Sequence, residues 1–240
     1  MGVTPALRRL LRALAIRSAC AFVGLVIYGF GLYLQLQASL GLSPWDALSL
    51  GISMRLPISL GTASILISLA VIALDLALRE PIGLGTILDA LIIGWVLDLC
   101  LWLDLIPPIT RLPLQLGALL LSLILISLGT YLYMKPALSC GPRDALLVAL
   151  GRRLPRCSIG SINMAILASV LALSILLGSP LGLGTFLTVF GTGAIMDLVF
   201  RLLRFEPRSL THENLIQTWS LISSARRESE GADAPSAPTH

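Results

Sequence analysis

Six apolar stretches, each about 20 residues long, constrain this chain more than any other feature of its sequence. They cover residues 18–37, 60–78, 84–103, 114–134, 161–178 and 183–203. A helix of about 20 apolar residues spans a bilayer, whereas a membrane-barrel strand is shorter and alternates polar with apolar residues. Hydrophobic residues make up 56% of the chain and charged residues only 12%, which excludes soluble, disordered and disulfide-rich classes. The sequence therefore predicts an all-α membrane protein with six transmembrane helices.

Arginine and lysine lie almost entirely in alternate loops between these stretches. With the N-terminus in the cytoplasm, 15 of the 17 basic residues fall on the cytoplasmic side, and only Arg55 and Arg111 fall outside. Basic residues favour the cytoplasmic side of a membrane, and an odd number of spans would spoil this separation. We therefore expect both termini in the cytoplasm. The first stretch is interpreted as a retained span rather than a cleaved signal peptide, because it is long and belongs to a repeat.

The two halves of the chain repeat each other at an offset of 98 to 99 residues. The matching positions are ordered proline, glycine and aspartate residues: 44–48 with 142–146, 81–86 with 180–185, Gly94 with Gly193, and Asp98 with Asp197. A leucine-rich composition does not produce such ordered matches. Each copy contains three spans, so the second copy enters the membrane from the opposite side. This predicts an inverted repeat, a plan common in transporters. A duplication kept for folding alone is the alternative.

The repeat divides the chain into four parts. Residues 1–17 form a basic amphipathic segment, which we expect to lie on the inner leaflet. Residues 18–105 form the first three-span repeat, and residues 114–204 form the second. Residues 205–240 form a cytoplasmic tail that we expect to be partly disordered, because its end is polar.

A short helix is predicted after the first span of each repeat. In the first copy Ser43 would cap it, Pro44 would take its first position, and Asp46 would face free backbone N–H groups. Pro142 and Asp144 repeat this start in the second copy. A helix of about eleven residues is roughly 16 Å long, about half a bilayer, so it is either interfacial or re-entrant. A re-entrant helix could hold an anionic group at its positive end, whereas in a surface helix the carboxylates serve only as caps.

Two aspartates inside predicted spans correspond to each other in the repeat. Asp98 and Asp197 each lie four residues after a glycine, Gly94 or Gly193, so that acid and glycine share one helix face. An intramembrane charge is costly and usually faces a cavity or a partner. We therefore predict that these residues line a pathway for a proton or a cation. Interfacial snorkelling or a hydrogen bond between helices is the alternative.

The other two intramembrane acids are poorer candidates on the same reasoning. Asp89 lies nine residues before Asp98, on roughly the opposite helix face, and a threonine occupies its place in the second copy. Asp75 lies four residues before Arg79, so a local ion pair explains it.

Several motifs resemble those of the YczE/YitT-type family of bacterial integral membrane proteins. They are residues 41–48, 60–64 and 83–86 together with Asp98, and the resemblance covers about residues 17–204. It implies a bacterial inner-membrane protein with several spans and supplies no catalytic or ligand residues. The short tail fits the YczE-like branch, because the YitT subgroup often carries a soluble C-terminal domain. Arg143 stands where the first copy has Trp45, so any role of that aromatic is not shared.

No residue pattern indicates catalysis, a metal site or a cofactor. The two histidines, His212 and His240, lie in the tail, and the four cysteines have no paired spacing. The formal charge of +4 reflects orientation signals rather than a nucleic-acid partner. We therefore predict that the chain is not an enzyme, has no cofactor and has the lipid bilayer as its surroundings.

Two functions remain open. The first is a transporter or permeation pathway for a small solute, which the inverted repeat, the short helices and the paired acids favour. The second is a non-transporting accessory or regulatory protein that binds a protein partner through residues 135–156 or the tail. The sequence leaves the solute, the coupling ion and the oligomeric state open.

Overall fold

The computed structural model describes residues 5–138, 141–157, 159–180 and 182–205. Over these ranges it contains eight α-helices and no strand, which confirms the all-α prediction. The helices are α1 (Pro5–Ala38), α2 (Pro44–Arg55), α3 (Leu60–Ala77), α4 (Leu84–Trp102), α5 (Leu112–Met134), α6 (Pro142–Arg153), α7 (Ile159–Leu176) and α8 (Leu183–Leu202).

Within the described residues, five helices are long and apolar enough to cross a membrane, namely α1, α3, α4, α5 and α8. The remaining apolar segment, Gly160–Leu176 of α7, is shorter. Large apolar side chains such as Trp95, Phe186 and Phe190 are exposed on these helices. Lipid tails are as apolar as these side chains, so such surfaces need no protein cover in a membrane. The count of six spans stays a prediction.

The basic segment that precedes the first predicted span is continuous with it. α1 runs unbroken from Pro5 to Ala38, because no proline after Pro5 interrupts its hydrogen bonds. Arg17 donates from Nε and Nη2 to the carbonyl oxygen of Pro136 at 2.8 and 2.6 Å, which ties this part of α1 to the end of α5. Residues 1–4 and residues 206–240, most of the predicted tail, lie outside the described part of the chain.

The two short helices begin where the sequence predicts. Ser43 precedes α2 with an extended backbone, and its hydroxyl accepts a hydrogen bond from the Asp46 N–H. Gly141 takes the same conformation before α6 without a side-chain cap. Pro44 and Pro142 are the first helical residues, where a missing N–H and a fixed φ cost nothing.

α1 and α5 form the centre of the bundle and cross closely. A Cβ atom on Gly24 would lie 2.8 Å from the carbonyl oxygen of Gly129, and one on Gly129 would lie 2.7 Å from the carbonyl oxygen of Gly24. Only glycine at both positions allows this approach. α4 packs beside α1, and α8 packs beside α5.

The short helices pack across the two halves of the chain. α2 lies against α7, and α6 lies against α3. At the ends of these pairs, Arg55 donates from Nε to the carbonyl oxygen of Leu177 at 3.0 Å, and Arg153 donates from Nη2 to the carbonyl oxygen of Leu78. The two arginines correspond in the sequence repeat, as do the two leucines, so the same contact forms twice.

One helix pair breaks this correspondence. α3 packs closely on α4, and a Cβ atom on Gly94 would lie 2.5 Å from the carbonyl oxygen of Gly61. In the described part of the chain, α7 and α8 do not pack in this way. A Cβ atom on Gly193, the counterpart of Gly94, would have no heavy atom of the described residues within 4 Å. The first half is therefore closed between its last two helices, and the second half is open there.

Candidate functional site

The N-terminal ends of α2 and α6 meet inside the bundle. Arg143, the second residue of α6, places Nη1 3.5 Å from Oδ1 of Asp46, the third residue of α2. The centre of its guanidinium lies 5.3 Å from the centroid of the Trp45 ring, a cation–π distance. Trp45 and Arg143 are equivalent positions of the repeat, so the two short helices touch each other through the same place in each copy.

The Asp46 carboxylate joins two interactions. Its Oδ2 accepts a hydrogen bond from the Ser43 hydroxyl, while its Oδ1 faces Arg143. Because Asp46 lies in the first turn of α2, it also compensates the positive end of that helix. Asp144 occupies the same position in α6 and is exposed.

A cavity of about 440 Å³ lies beside the start of α6, between α1, α3, α4, α5 and α8. This volume is within the range of sites for small molecules. Its polar and charged lining includes Asp89, Arg143, Asp144, Ser64, Ser68 and Thr130. Its aromatic and sulfur-containing lining includes Tyr28, Tyr133, Phe200, Met134 and Met196. Asp144 and Val148 are exposed at its edge, so the cavity opens to the surface there.

Asp89 is the acidic residue that α4 contributes to this cavity. A Cβ atom on Gly141, just before α6, would lie 3.4 Å from the Asp89 Oδ2 atom and 3.4 Å from the Tyr133 hydroxyl. Arg143 and Asp144 are the nearby charges that act on this carboxylate. No described side chain forms a hydrogen bond or a salt bridge with it.

The equivalent region beside α2 is mostly closed. Gln35 and Thr188, the counterparts of Tyr133 and Asp89, are joined by a hydrogen bond of 2.9 Å from Nε2 to Oγ1. The pocket next to Asp46 on this side has a volume of only about 10 Å³. A groove of about 220 Å³ reaches Gln35 from the loop at residues 39–42 but does not include Asp46.

The predicted starts of the short helices come together at this site. Asp46 and Arg143 join the two ends, Asp144 lines the cavity, and Pro44 and Pro142 set where both helices begin.

The predicted pathway residues do not come together with them. Asp98 accepts hydrogen bonds from the Gly61 N–H at 2.7 Å and from the Ser59 hydroxyl, so it caps the start of α3. Gly94 packs on Gly61. Asp197 and Gly193 are exposed on α8, and in the described part of the chain Asp197 has no hydrogen bond or ion pair. None of these four residues lines the cavity.

Asp75 differs from the sequence expectation. Its side chain is fully buried, and among the described residues neither carboxyl oxygen has a hydrogen-bond partner. The predicted ion pair with Arg79 is absent there, because Arg79 follows the helix with a positive φ of 56° and is exposed.

A comparison with known protein families shows the family of this chain. A family model described as "Family of unknown function (DUF6198)" matches residues 15–201. The chain belongs to the DUF6198 family. The match includes every residue that lines the cavity.

Three relatives of this DUF6198 chain come from Haemophilus influenzae and Bacillus subtilis. An "Uncharacterized protein" of Haemophilus influenzae is 34% identical over 179 residues, covering 75% of this chain and 81% of the relative. The protein YyaS of Bacillus subtilis is 33% identical over 181 residues, covering 73% and 88%. The "Uncharacterized membrane protein YczE" of Bacillus subtilis is 27% identical over 185 residues, covering 76% and 85%. No solved structure matches. With its apolar helices, this DUF6198 chain is a membrane protein, and the resemblance to YczE is confirmed.

Proposed function

We propose that this protein is a transporter for a small solute in the bacterial inner membrane, and that the cavity around Asp89 and Arg143 is its solute site. The proposal includes six spans in two inverted repeats, both termini in the cytoplasm, and no enzymatic step. One observation carries it: the cavity of about 440 Å³ beside α6 reaches Asp89 and Asp144, while beside α2 Gln35 and Thr188 are joined and only about 10 Å³ remains next to Asp46. Two equivalent regions in opposite states are what alternating access at an inverted repeat requires.

The proposed orientation gives the open cavity a side of the membrane. With the N-terminus in the cytoplasm, α4 begins and α5 and α8 end on the cytoplasmic side. Asp89, Tyr133 and Phe200 lie near those ends. The cavity is therefore assigned to an inward-open state, and the hydrogen bond between Gln35 and Thr188 belongs to the closed outer side.

The two aspartates of the predicted pathway take on a different role in this proposal. Asp98 holds α4 against the start of α3, on the proposed outer side. Asp197, its counterpart on the proposed inner side, has no such partner in the described residues, and α7 and α8 stand apart. We assign Asp98 as the latch of the closed outer side and Asp197 as the latch that closes the inner side in the alternate state.

The meeting of the short helices supports a re-entrant rather than an interfacial position. Their ends contact each other through Asp46 and Arg143 in the middle of the bundle, where α2 and α6 are flanked by α3 and α7. Half-helices whose ends meet at a polar site near the centre of the bilayer are typical of secondary transporters. An accessory protein that works through its loop or tail has no need for such a site.

The proposal is tested by locking the closed side. In a chain without native cysteines, Gln35→Cys and Thr188→Cys are joined by a short bifunctional thiol reagent, and the protein is placed in liposomes. Uptake from a mixture of small solutes is measured by mass spectrometry against protein-free liposomes. We expect specific uptake that crosslinking abolishes and thiol reduction restores, while the single variant Gln35→Cys treated with the same reagent keeps uptake. Absence of any specific uptake, or uptake that survives the crosslink, contradicts the proposal.

A further inference from the structure

We infer that the cavity binds a small monovalent organic cation, such as an amine or a quaternary ammonium compound, through the Asp89 carboxylate. This inference names the solute class of the proposed transport function and rests on it for the cavity being a solute site. The juxtaposition that carries it is an unpaired carboxylate beside an arginine that is already paired, in a cavity with an aromatic lining.

The charges around the cavity do not balance. Among the described residues, Arg143 is the single cationic side chain in the cavity lining, and it pairs with Asp46. Each short helix adds about half a positive charge at its N-terminal end. Asp46 pairs with Arg143 and stands in the first turn of α2, and Asp144 stands in the first turn of α6. These carboxylates offset Arg143 and the two helix ends, which leaves no positive charge for Asp89.

The remaining charge belongs to Asp89. Asp46 is held by the Ser43 hydroxyl and by Arg143, and Asp144 is exposed at the edge of the cavity. Asp89 has neither a hydrogen bond nor a salt bridge with any described residue, and it lies inside the cavity. A partly buried carboxylate without a partner is costly in a membrane protein, unless a cation completes the site.

The lining favours an organic cation over a metal ion or an anion. Among the described residues, no three histidine, cysteine or acidic side chains lie close enough together to hold a metal ion. The rings of Tyr28, Tyr133 and Phe200 border the same space, and aromatic faces attract ammonium groups. An anion would be repelled by the carboxylates of Asp89 and Asp144, and Arg143 already pairs with Asp46.

Binding can be tested with probes of one shape and different charge. Choline is compared by titration calorimetry with its neutral isostere 3,3-dimethylbutan-1-ol and with the anion 3,3-dimethylbutyrate, all on the purified full-length chain. Methylammonium and tetraethylammonium extend the range of sizes. We expect at least one of the three cations to bind and both uncharged and anionic probes to bind at least about tenfold more weakly. Asp89→Asn should abolish cation binding, Asp89→Glu should retain it, and Asp104→Asn, the same change on an exposed loop, should leave it unaltered.

A second measurement requires no ligand. If Asp89 carries an uncompensated charge, Asp89→Asn raises the unfolding temperature of the empty protein at neutral pH, and the control Asp104→Asn does not. An unchanged unfolding temperature for Asp89→Asn, preference for the neutral or anionic probe, or no binding of any cation overturns the inference. If cations bind but no flux is measured, the transport proposal is wrong and this inference stands. If specific uptake of anions is measured, this inference is wrong and the transport proposal stands.

Discussion

Arg143 has two partners in the other half of the chain and is only partly hydrated. Its side chain is 24% exposed, and that of Asp46 is 11% exposed. A pair at this depth gains little net stability over an apolar pair, but removing one member leaves the other charge without compensation. Because the same guanidinium also stacks on Trp45, its main effect is to hold the two short helices together. In the proposed transporter, solute binding is then left to Asp89.

This role predicts a loss of stability when the guanidinium is removed. Arg143→Ala should lower the free energy of unfolding by about 1–3 kcal/mol, because Asp46 stays partly buried without its partner. Adding Asp46→Asn should recover part of the loss, since the two residues act as a pair. Thermal unfolding in detergent measures all three proteins. Arg156→Ala removes an exposed arginine and is the control; equal unfolding temperatures for the two arginine variants would rule out the role.

The sequence identified the residues that begin the short helices but not the residues that complete the site. Proline and aspartate signals are local, so Pro44, Asp46, Pro142 and Asp144 could be recognised without tertiary structure. The sequence gives Asp89 little weight, because it lies on the helix face opposite Asp98 and its counterpart is a threonine. A repeat finds positions that both copies share, whereas a solute site can lie where the copies differ. The charge at position 143, in the first turn of a predicted short helix that is interfacial or re-entrant, is the signal that points to this region.

At the scale of helices, local sequence patterns predict where each helix begins and ends, but they do not predict which helices pack against each other. α4 was predicted at residues 84–103 and is Leu84–Trp102, and α8 was predicted at 183–203 and is Leu183–Leu202. Glycine-rich starts and apolar length determine these limits. The packing of α2 on α7 and of α6 on α3 depends instead on residues at least 65 positions apart, which no local pattern encodes. The repeat does not predict the separation of α7 from α8 either, because it implies that these helices pack as α3 and α4 do.

The pair α3–α4 is closely packed and the pair α7–α8 is not. We therefore expect a glycine-to-alanine substitution to have opposite effects at the equivalent positions 94 and 193. Gly94→Ala places a methyl group 2.5 Å from the Gly61 carbonyl oxygen, so α3 and α4 must move apart, at a cost of about 1–3 kcal/mol. Gly193→Ala meets open space and should be neutral or stabilising by up to about 1 kcal/mol, because alanine favours helix more than glycine does. Unfolding of both variants in the same detergent tests this. A loss at position 193 equal to that at position 94 would show that α7 and α8 are packed after all.

At the scale of the whole molecule, some contacts are present in both halves of the repeat and others are present in only one half. The arginine bonds at the ends of the short helices are present in both halves, as Arg55 to Leu177 and Arg153 to Leu78. Asp98 to Gly61 and Gln35 to Thr188 have no described counterpart. In an alternating-access cycle the first kind would persist, and the second kind would exchange between the two sides. The contacts that occur once therefore mark the parts of the molecule that are expected to move.

The proposed exchange of contacts between the two sides can be followed with one reporter cysteine. Met196→Cys, on the cavity wall, is introduced into a chain without its four native cysteines and labelled from the cytoplasmic side of inside-out vesicles. Asp98→Ala removes the two hydrogen bonds from the Gly61 N–H and the Ser59 hydroxyl on the proposed outer side. A net loss of about 1.5 kcal/mol or more should shift the balance of states at least about tenfold and slow labelling. Asp197→Ala, the equivalent change, removes no hydrogen bond or ion pair to a described residue from the proposed inward-open state and should leave labelling equal or faster. If both substitutions slow labelling, or if neither changes it, the two aspartates do not act as latches on opposite sides.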